Sequence, residues 1–561
     1  MVERFKKILQ TPLTNLHEAA FVLGLSALAS QVLAIVRDRI FAHIFGAGSA
    51  LDIYYAAFKV PDLLFVTVAS LVSMTVLIPY FTRELLIDKD GARDFLDSVF
   101  TIFITLLSVF AILAFLLMPE LSFLIAPGFS PEARLELIKL SRILLLSPFF
   151  LGLSSHIAGI IHSFRKFIVY ALSPVFYNVG IILGILFLYP HFGLEGLAWG
   201  VVLGAFLHFA IQWPTVRALG FAPRLRVSIL WPKVREVFLV SVPRTFTLGV
   251  HQMVTLIFTA LASMFATGSI SVFNFSFNLQ SVPLAIIGMS YSMAAFPTLA
   301  TLFSNGERDK FATQIGLAAR NIVFWSMPVT ALFIVLRAQI VRTILGSGAF
   351  NWTNTRLTAA ALAIFAISVV GQGLVLLFVR GYYASGNTKV PLVANTLSGL
   401  AMVGFSFVLT YMFNHVGLFR YFFEALFRVQ DLPGTQILML PLAYSLGVLC
   451  NALVYVILFA RSFPEEGRRL FNTTTQSFYG AVLMGFVSYE ALTIFDNLLN
   501  LNTLSGIFMQ GFFSGIIGIV TGVLLLRLLG NEEFSDFKAA AHRRFWRAKP
   551  ILPGPEEINQ V

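Results

Sequence analysis

The sequence predicts an all-α integral membrane protein with about fourteen transmembrane helices. Three observations carry this. Of 561 residues, 57% are hydrophobic and only 12% charged, against about 25% charged in a soluble domain. The mean hydropathy is +0.83. Apolar runs long enough to cross a bilayer recur along the chain, and they exceed the ~10 residues of a barrel strand.

Taken in order, the runs fall near 19–46, 52–82, 95–118, 135–163, 167–189, 194–216, 234–265, 269–303, 311–336, 355–380, 388–413, 436–460, 475–497 and 504–528. The first follows a short basic N-terminus (Arg4, Lys6, Lys7) and has no clear small-residue cleavage site, so it is read as a retained helix. The 58 phenylalanines supply lipid-facing bulk, and the single cysteine, Cys450, cannot form an internal disulfide. Between the eleventh and twelfth runs, "HVGLFRYFFEALFRVQDLPGT" reads as a short interfacial helix on the outer side.

A net charge of +11 would suit nucleic acid, but the basic residues are scattered between spans and follow the positive-inside rule. With the N-terminus in the cytoplasm, about 27 of the 39 Lys and Arg fall on the cytoplasmic side and about 8 opposite. Both termini are therefore expected in the cytoplasm. The C-terminal stretch "EEFSDFKAAAHRRFWRAKP" is basic and partly amphipathic and should lie on the membrane surface.

Two pairs of segments hint at duplication. "GIIHSFRKFIV" from Gly159 parallels "GYYASGNTKVP" from Gly381. Pro61, Ser73, Met74 and Pro79 parallel Pro283, Ser292, Met293 and Pro297. Six spans separate each pair. The expected layout is a first lobe of six helices (1–232), a second (233–466), two further helices (467–530) and a cytoplasmic tail (531–561). An even repeat keeps both lobes in one orientation around a central cavity.

Ionisable groups inside spans are costly and mark function. In the first span, Ser26, Ser30 and Arg37 share one helical face, and Gln31 and Asp38 the adjacent one. Arg37 lies roughly 30 Å along the helix. Asp38, Asp52 and Lys59 are available as ion-pair partners, while Arg39 and His43 can reach the outer interface. In the seventh span, "VFLVSVPRTFTLGVHQ" places Arg244 roughly 15 Å deep, near the midplane. Pro243 should kink the helix there. In the eighth, Asn274, Asn278 and Ser281 form one polar stripe.

Between Glu236 and Glu424 the acidic residues are Glu307 and Asp309, both in a cytoplasmic loop. A cation site or proton relay built on Asp or Glu is thereby excluded from the membrane part of the second half. Its deep charge, Arg244, is positive, and arginine binds phosphate oxygens with fixed bidentate geometry. These features point to a cavity between the halves for a phosphate-bearing head group. No nucleophile elbow, P-loop, His–Glu metal motif or aspartate cluster appears, so a transporter is expected, with no enzyme activity, cofactor or metal.

Four stretches carry a family resemblance: "RDRIFAHIFGAGSALDIYYAAFKVPDLL" (Arg37 to Leu64), "LAWGVVLGAFLHFAIQWP" (Leu197 to Pro214), "ILGSGAFNWTNTRLTAAAL" (Ile344 to Leu362) and "GYYASGNTKVP" (Gly381 to Pro391). Together they resemble the MurJ (MviN) lipid II flippase family, part of a broader exporter superfamily. The resemblance implies two six-helix lobes plus two helices. It also implies movement of undecaprenyl-pyrophosphate-linked peptidoglycan precursor from inner to outer leaflet of the bacterial cytoplasmic membrane by rocking lobes. The lipid tail would follow a groove from the last two spans. Lipid II, membrane lipids and cell-wall synthesis proteins are the implied partners, and nucleic acid is not. A flippase for another polyprenyl-linked glycan, or a drug exporter of the same superfamily, is the alternative.

By the same resemblance, Arg37 matches the arginine of the family's "RD" motif and Asp52 the aspartate after its "FGAG" loop. Relatives often carry further arginines where this chain has Gln31, Phe65 and Asn278. Arg244 is expected to replace part of that charge. The candidate substrate-binding set is thus Arg37, Asp52, Arg244, Gln31, Asn278, Lys59, Asp38, Ser30 and Asn274.

Overall fold

A computed structural model describes the backbone of residues 16–69, 74–164, 166–535 and 537–538. The side chains of 16–23, Ala69, 74–76, Pro79, Phe167, Val240, Pro243, Arg244 and Thr247 lie outside the described set. Most of the basic tail, expected at the membrane surface, also falls outside it.

The described residues form helices and no strand. Eleven of these helices are long and apolar enough to cross a membrane, from Lys89–Leu116 to Leu504–Leu528. Each matches one of the predicted spans. The other three predicted spans correspond to Leu16–Phe45, to the broken series Ser49–Ala57, Lys59–Ala69 and Met74–Ile87, and to Trp231–Ser263. These three carry the in-span charges Arg37, Asp38, Asp52, Lys59, Asp62 and Arg244, which lower their apolar content. The interfacial segment forms the helix Gly417–Phe427.

Several helices begin at polar caps that satisfy exposed N–H groups. The Asp88 carboxylate accepts from the Asp90 and Gly91 N–H ahead of Lys89–Leu116. Ser130, Asn351 and Thr503 cap Pro131–Leu144, Trp352–Ala384 and Leu504–Leu528 in the same way. Two spans carry a π-helical turn, Gly184–Leu188 and Leu284–Met289; the second follows Pro283, whose missing N–H frees a carbonyl in the preceding turn.

Lipid removes most of the hydrophobic drive for helix association, so close packing must come from small residues. Gly180 and Gly184 on one span meet Gly204 and Gly200 on the next, and a Cβ on Gly180 would lie 2.2 Å from the Gly204 Cα. The outward surfaces are apolar, with Phe110, Ile112, Val408 and Phe512 exposed. The Trp231–Ser263 helix packs on Lys59–Ala69 of the first lobe and on Lys389–His415 of the second, so it spans the lobe junction.

A buried ionic cluster ties the last two spans to the second lobe. Arg320 donates to Glu466 at 2.8 Å and to Glu533 at 2.9 Å, and Thr473 donates to Glu533 at 3.0 Å. All three charged side chains are buried. Arg244 is therefore not the sole deep cation of the second half, and carboxylates do reach its helices, from positions 466 and 533. Removing one member strands the others without water, at a cost of about 3–5 kcal/mol. Arg320→Leu should therefore melt well below the parent in micelles, and Arg320→Lys should lose less. Equal melting temperatures by thermal aggregation would show that the cluster carries no stability.

Candidate functional site

The first polar centre joins three helices. Arg37 donates through Nε and Nη2 to Asp38 Oδ1, at 3.0 and 2.8 Å, and through Nη1 to Asn178 Oδ1 at 3.1 Å. Asn178, on Phe167–Leu183, donates in turn to Ser30 Oγ at 3.2 Å. The second Asp38 oxygen accepts from Asn278 Nδ2 at 2.9 Å, across the lobe junction. Arg37 is thus held by a carboxylate and an amide, and its side chain keeps 19% exposure. Tyr54 and Tyr55 lie close to it. The Tyr55 hydroxyl is buried and makes no hydrogen bond among the described residues, an open position beside the ion pair.

The second centre lies just beyond the end of the first helix, on Ser49–Ala57. Asp52 is 4% exposed. Its Oδ2 accepts from the Gly268 N–H at 2.6 Å, and its Oδ1 from the Ser271 N–H at 2.8 Å and the Ser271 hydroxyl at 2.7 Å. A carboxylate from the first lobe thereby caps the Ser269–Pro283 helix of the second, where the free N–H groups and the helix dipole favour negative charge. Asp52 makes no contact with Arg37; its three hydrogen bonds all go to the second lobe.

Around Asp52 the lobes meet backbone to backbone. Arg39 donates to the carbonyls of Thr343 and Ile344 at 2.6 and 3.0 Å, and the Ala349 N–H donates to the His43 carbonyl at 2.9 Å. Gly268, at φ +92, leaves no room for a Cβ, which would sit 2.3 Å from the Ala47 carbonyl oxygen. Gly348, at φ +56, is in the same position against the His43 carbonyl, at 2.2 Å. The motif stretch ending in "FGAG" is therefore a closed seam between lobes.

A cavity of about 430 Å³ lies mostly within the second lobe, between Trp231–Ser263 and the helices Trp352–Ala384, Lys389–His415 and Met439–Ser462, with Val66 of the first lobe at its wall. Its polar lining comes from His251, Gln252, Gln372, Asn395, Tyr444 and Asn451. Gln372 donates to Gln280 at 3.0 Å and Asn451 to Asn395 at 2.9 Å. Two buried atoms, Asn451 Oδ1 and Gln280 Nε2, have no partner among the described residues. Lys59 on the first lobe is close enough to His251 and Asp62 for their charges to interact.

The remaining predicted site residues separate. Asn274 donates to its own helix, at the Ile270 carbonyl, and Gln31 is half-buried on the first helix. Arg244 lies on the Trp231–Ser263 helix, seven residues before His251, and its side chain is outside the described set. Sequence reasoning missed Asn178 and the amides Gln280, Gln372, Asn395 and Asn451. A lone amide in an apolar span, such as Asn178 in "FIVYALSPVFYNVGIIL", is the signal that could have found them.

Comparison with known proteins places this geometry. Residues 41–509 match the family model described as Lipid II flippase MurJ. A probable lipid II flippase MurJ of Rhizobium tropici is 28% identical over 388 residues, covering 67% of this chain and 72% of that one. The lipid II flippase MurJ of Burkholderia cenocepacia is 24% identical over 417 residues, covering 72% and 80%. Among solved structures, a lipid II flippase MurJ in an inward closed conformation aligns with TM-score 0.72 and 22% identity, over 91% of this chain and 99% of that one. An inward-facing multidrug resistance MATE family transporter of the MOP superfamily aligns with TM-score 0.62 and 16% identity, over 78% and 96%. These two likenesses show the fold.

The seam makes a direct prediction. Asp52→Asn keeps the shape but removes the charge from the cap, and should favour opening at this end. Asn274→Cys in a Cys450→Ser background should then be labelled by an impermeant maleimide several-fold faster than with Asp52 intact. Equal rates would show that the cap does not hold the seam.

Proposed function

The chain belongs to the lipid II flippase MurJ family, and from that premise we propose that it carries lipid II from the inner to the outer leaflet by alternating access. It is a multi-pass membrane transporter rather than an enzyme. The observation that supports the mechanism is a closed seam between the lobes together with a polar cavity inside the second. Glycine backbones and the Asp52 cap close the seam, while the cavity with its polar groups lies along Trp231–Ser263, with Val66 of the first lobe at its wall. A polar head group needs such a space, because its charges cannot cross hydrocarbon unaided.

In this reading the cavity faces the cytoplasm, both termini lie there, and the membrane is the bacterial inner membrane. Arg37 and Arg244 recognise the diphosphate, with Lys59 nearby and Asp38, Ser30, Gln31, Asn274 and Asn278 as the polar surround. Arg37 is held in place by Asp38 and Asn178, so its orientation is set before a substrate arrives. Asp52 acts at the seam, where breaking its three hydrogen bonds accompanies outward opening. The last two spans offer a path for the polyprenyl chain, and the Arg320 cluster makes them move with the second lobe.

The deciding experiment replaces an essential lipid II flippase in living cells by this chain. Growth with normal shape is expected, and Arg37→Ala should abolish it at equal expression. Growth supported by a chain that moves a different polyprenyl glycan in vesicles, and not lipid II, would overturn the substrate. In purified protein, Arg244→Ala should bind undecaprenyl diphosphate about tenfold more weakly, the loss expected for one charge-assisted contact. Unchanged affinity would remove Arg244 from the site.

A further inference from the structure

A second cationic feature lies away from the cavity, on the surface facing the outer leaflet. Arg337 begins the short helix Arg337–Leu345, directly after the span Arg308–Val335. Its Nη1 donates to the Ile334 carbonyl at 2.7 Å. Arg428 closes the interfacial helix Gly417–Phe427 and is the one non-glycine residue at positive φ among the described residues, at +57°. Its Nη2 donates to the Tyr489 hydroxyl at 3.0 Å. Arg337 lies near both Arg428 and Tyr489, close enough to feel the charge of Arg428.

Neither arginine pairs with a carboxylate among the described residues. Two acids of the neighbouring loop and helix are engaged elsewhere. Asp431 takes both Nη atoms of Arg356, at 2.6 and 2.7 Å, and Glu424 binds Arg420 and Thr435. Arg356 also holds the Arg428 carbonyl. The loop that presents Arg428 is thus pinned by a bidentate ion pair while its guanidinium is left for another partner. Burial and the like charge of Arg428 both push the Arg337 guanidinium below its usual value, a conflict that an anion would relieve.

Below these groups runs an apolar stripe. Phe478, Val482, Phe486 and Tyr489 are all exposed on Pro464–Asp496, at spacings of four, four and three. They therefore form one helical face that leads into the bilayer from the arginines. A phosphate carried on a hydrocarbon chain fits both parts. Free phosphate would use the arginines alone.

We propose that Arg337, Arg428 and Tyr489 form an outer-leaflet site for the phosphate of a lipid head group, with the chain laid along Phe478, Val482 and Phe486. Two guanidinium groups supply charge-assisted hydrogen bonds in a mostly apolar setting, and the tyrosine hydroxyl can donate a third. The leaflet rests on the orientation given above. A lipid diphosphate or a phospholipid satisfies the same chemistry, and a diphosphate would use both arginines at once. On the transport reading, the site is where the product's head group is first met outside the cavity.

The test uses the full chain in detergent micelles and counts retained lipids by native mass spectrometry, with undecaprenyl diphosphate, phosphatidylglycerol, diacylglycerol and inorganic pyrophosphate as separate probes. Arg337→Gln/Arg428→Gln should lose one bound phosphate-bearing lipid, with about tenfold weaker retention, and diacylglycerol should be unaffected. Loss of both lipids supports a general phosphate site; loss of undecaprenyl diphosphate alone supports a product site. Equal retention by parent and double variant overturns the proposal, as does equal loss of diacylglycerol. Pyrophosphate held as well as the lipid forms overturns the part assigned to the chain. Arg428 is exposed, so Arg428→Gln alone reads the site if the double variant fails to fold. Tyr489→Phe should give a smaller loss. Binding does not require flipping: a chain that fails in cells yet shows these losses contradicts the transport reading and leaves this site standing.

Discussion

The arrangement depends on one carboxylate shared between two lobes. Asp38 neutralises Arg37 with one oxygen and accepts from Asn278 of the other lobe with the second. In hydrocarbon neither partner could remain unpaired, because no water replaces a lost contact. The pair therefore fixes how the first helix meets the eighth span. It also makes the charge-assisted bond to Asn278 the contact that crosses to the second lobe, while the ion pair itself stays within the first.

Asp52 uses the same logic at the closed end. Its charge is distributed over two backbone N–H groups and one hydroxyl of the facing lobe. In the closed state every side-chain hydrogen bond described for Asp52 goes to the facing lobe. The surrounding glycines let the backbones touch, so closure rests on shape as well as on hydrogen bonds. A gate made this way can be tight without a large apolar contact.

Much of the fold was legible because span length and loop charge are set by the bilayer itself. The three spans that fall short in hydropathy were still read from their apolar runs, and two of their charges, Asp38 and Asp52, bond across the lobe junction. Asp52 was legible as a special residue but not as a cap, since its partners Gly268 and Ser271 lie more than two hundred positions away. Arg320 lies inside the predicted ninth span and was passed over, because its partners Glu466 and Glu533 are far along the chain and each reads alone as an ordinary helix-end charge. The amides of the second-lobe cavity were overlooked because uncharged polar residues stand out little in apolar runs, yet Gln372, Asn395 and Asn451 line it.

The most direct measurement of the central claim, that the seam is one of two alternating states, is the distance across it. Spin labels at the exposed positions of Phe192→Cys and Trp352→Cys, in a Cys450→Ser chain in nanodiscs, report the outer end of each lobe. A single short distance without lipid, with a second longer population when undecaprenyl diphosphate glycopeptide is added, is the predicted result. One unchanged short distribution under both conditions, in protein shown to bind that lipid, would contradict the account.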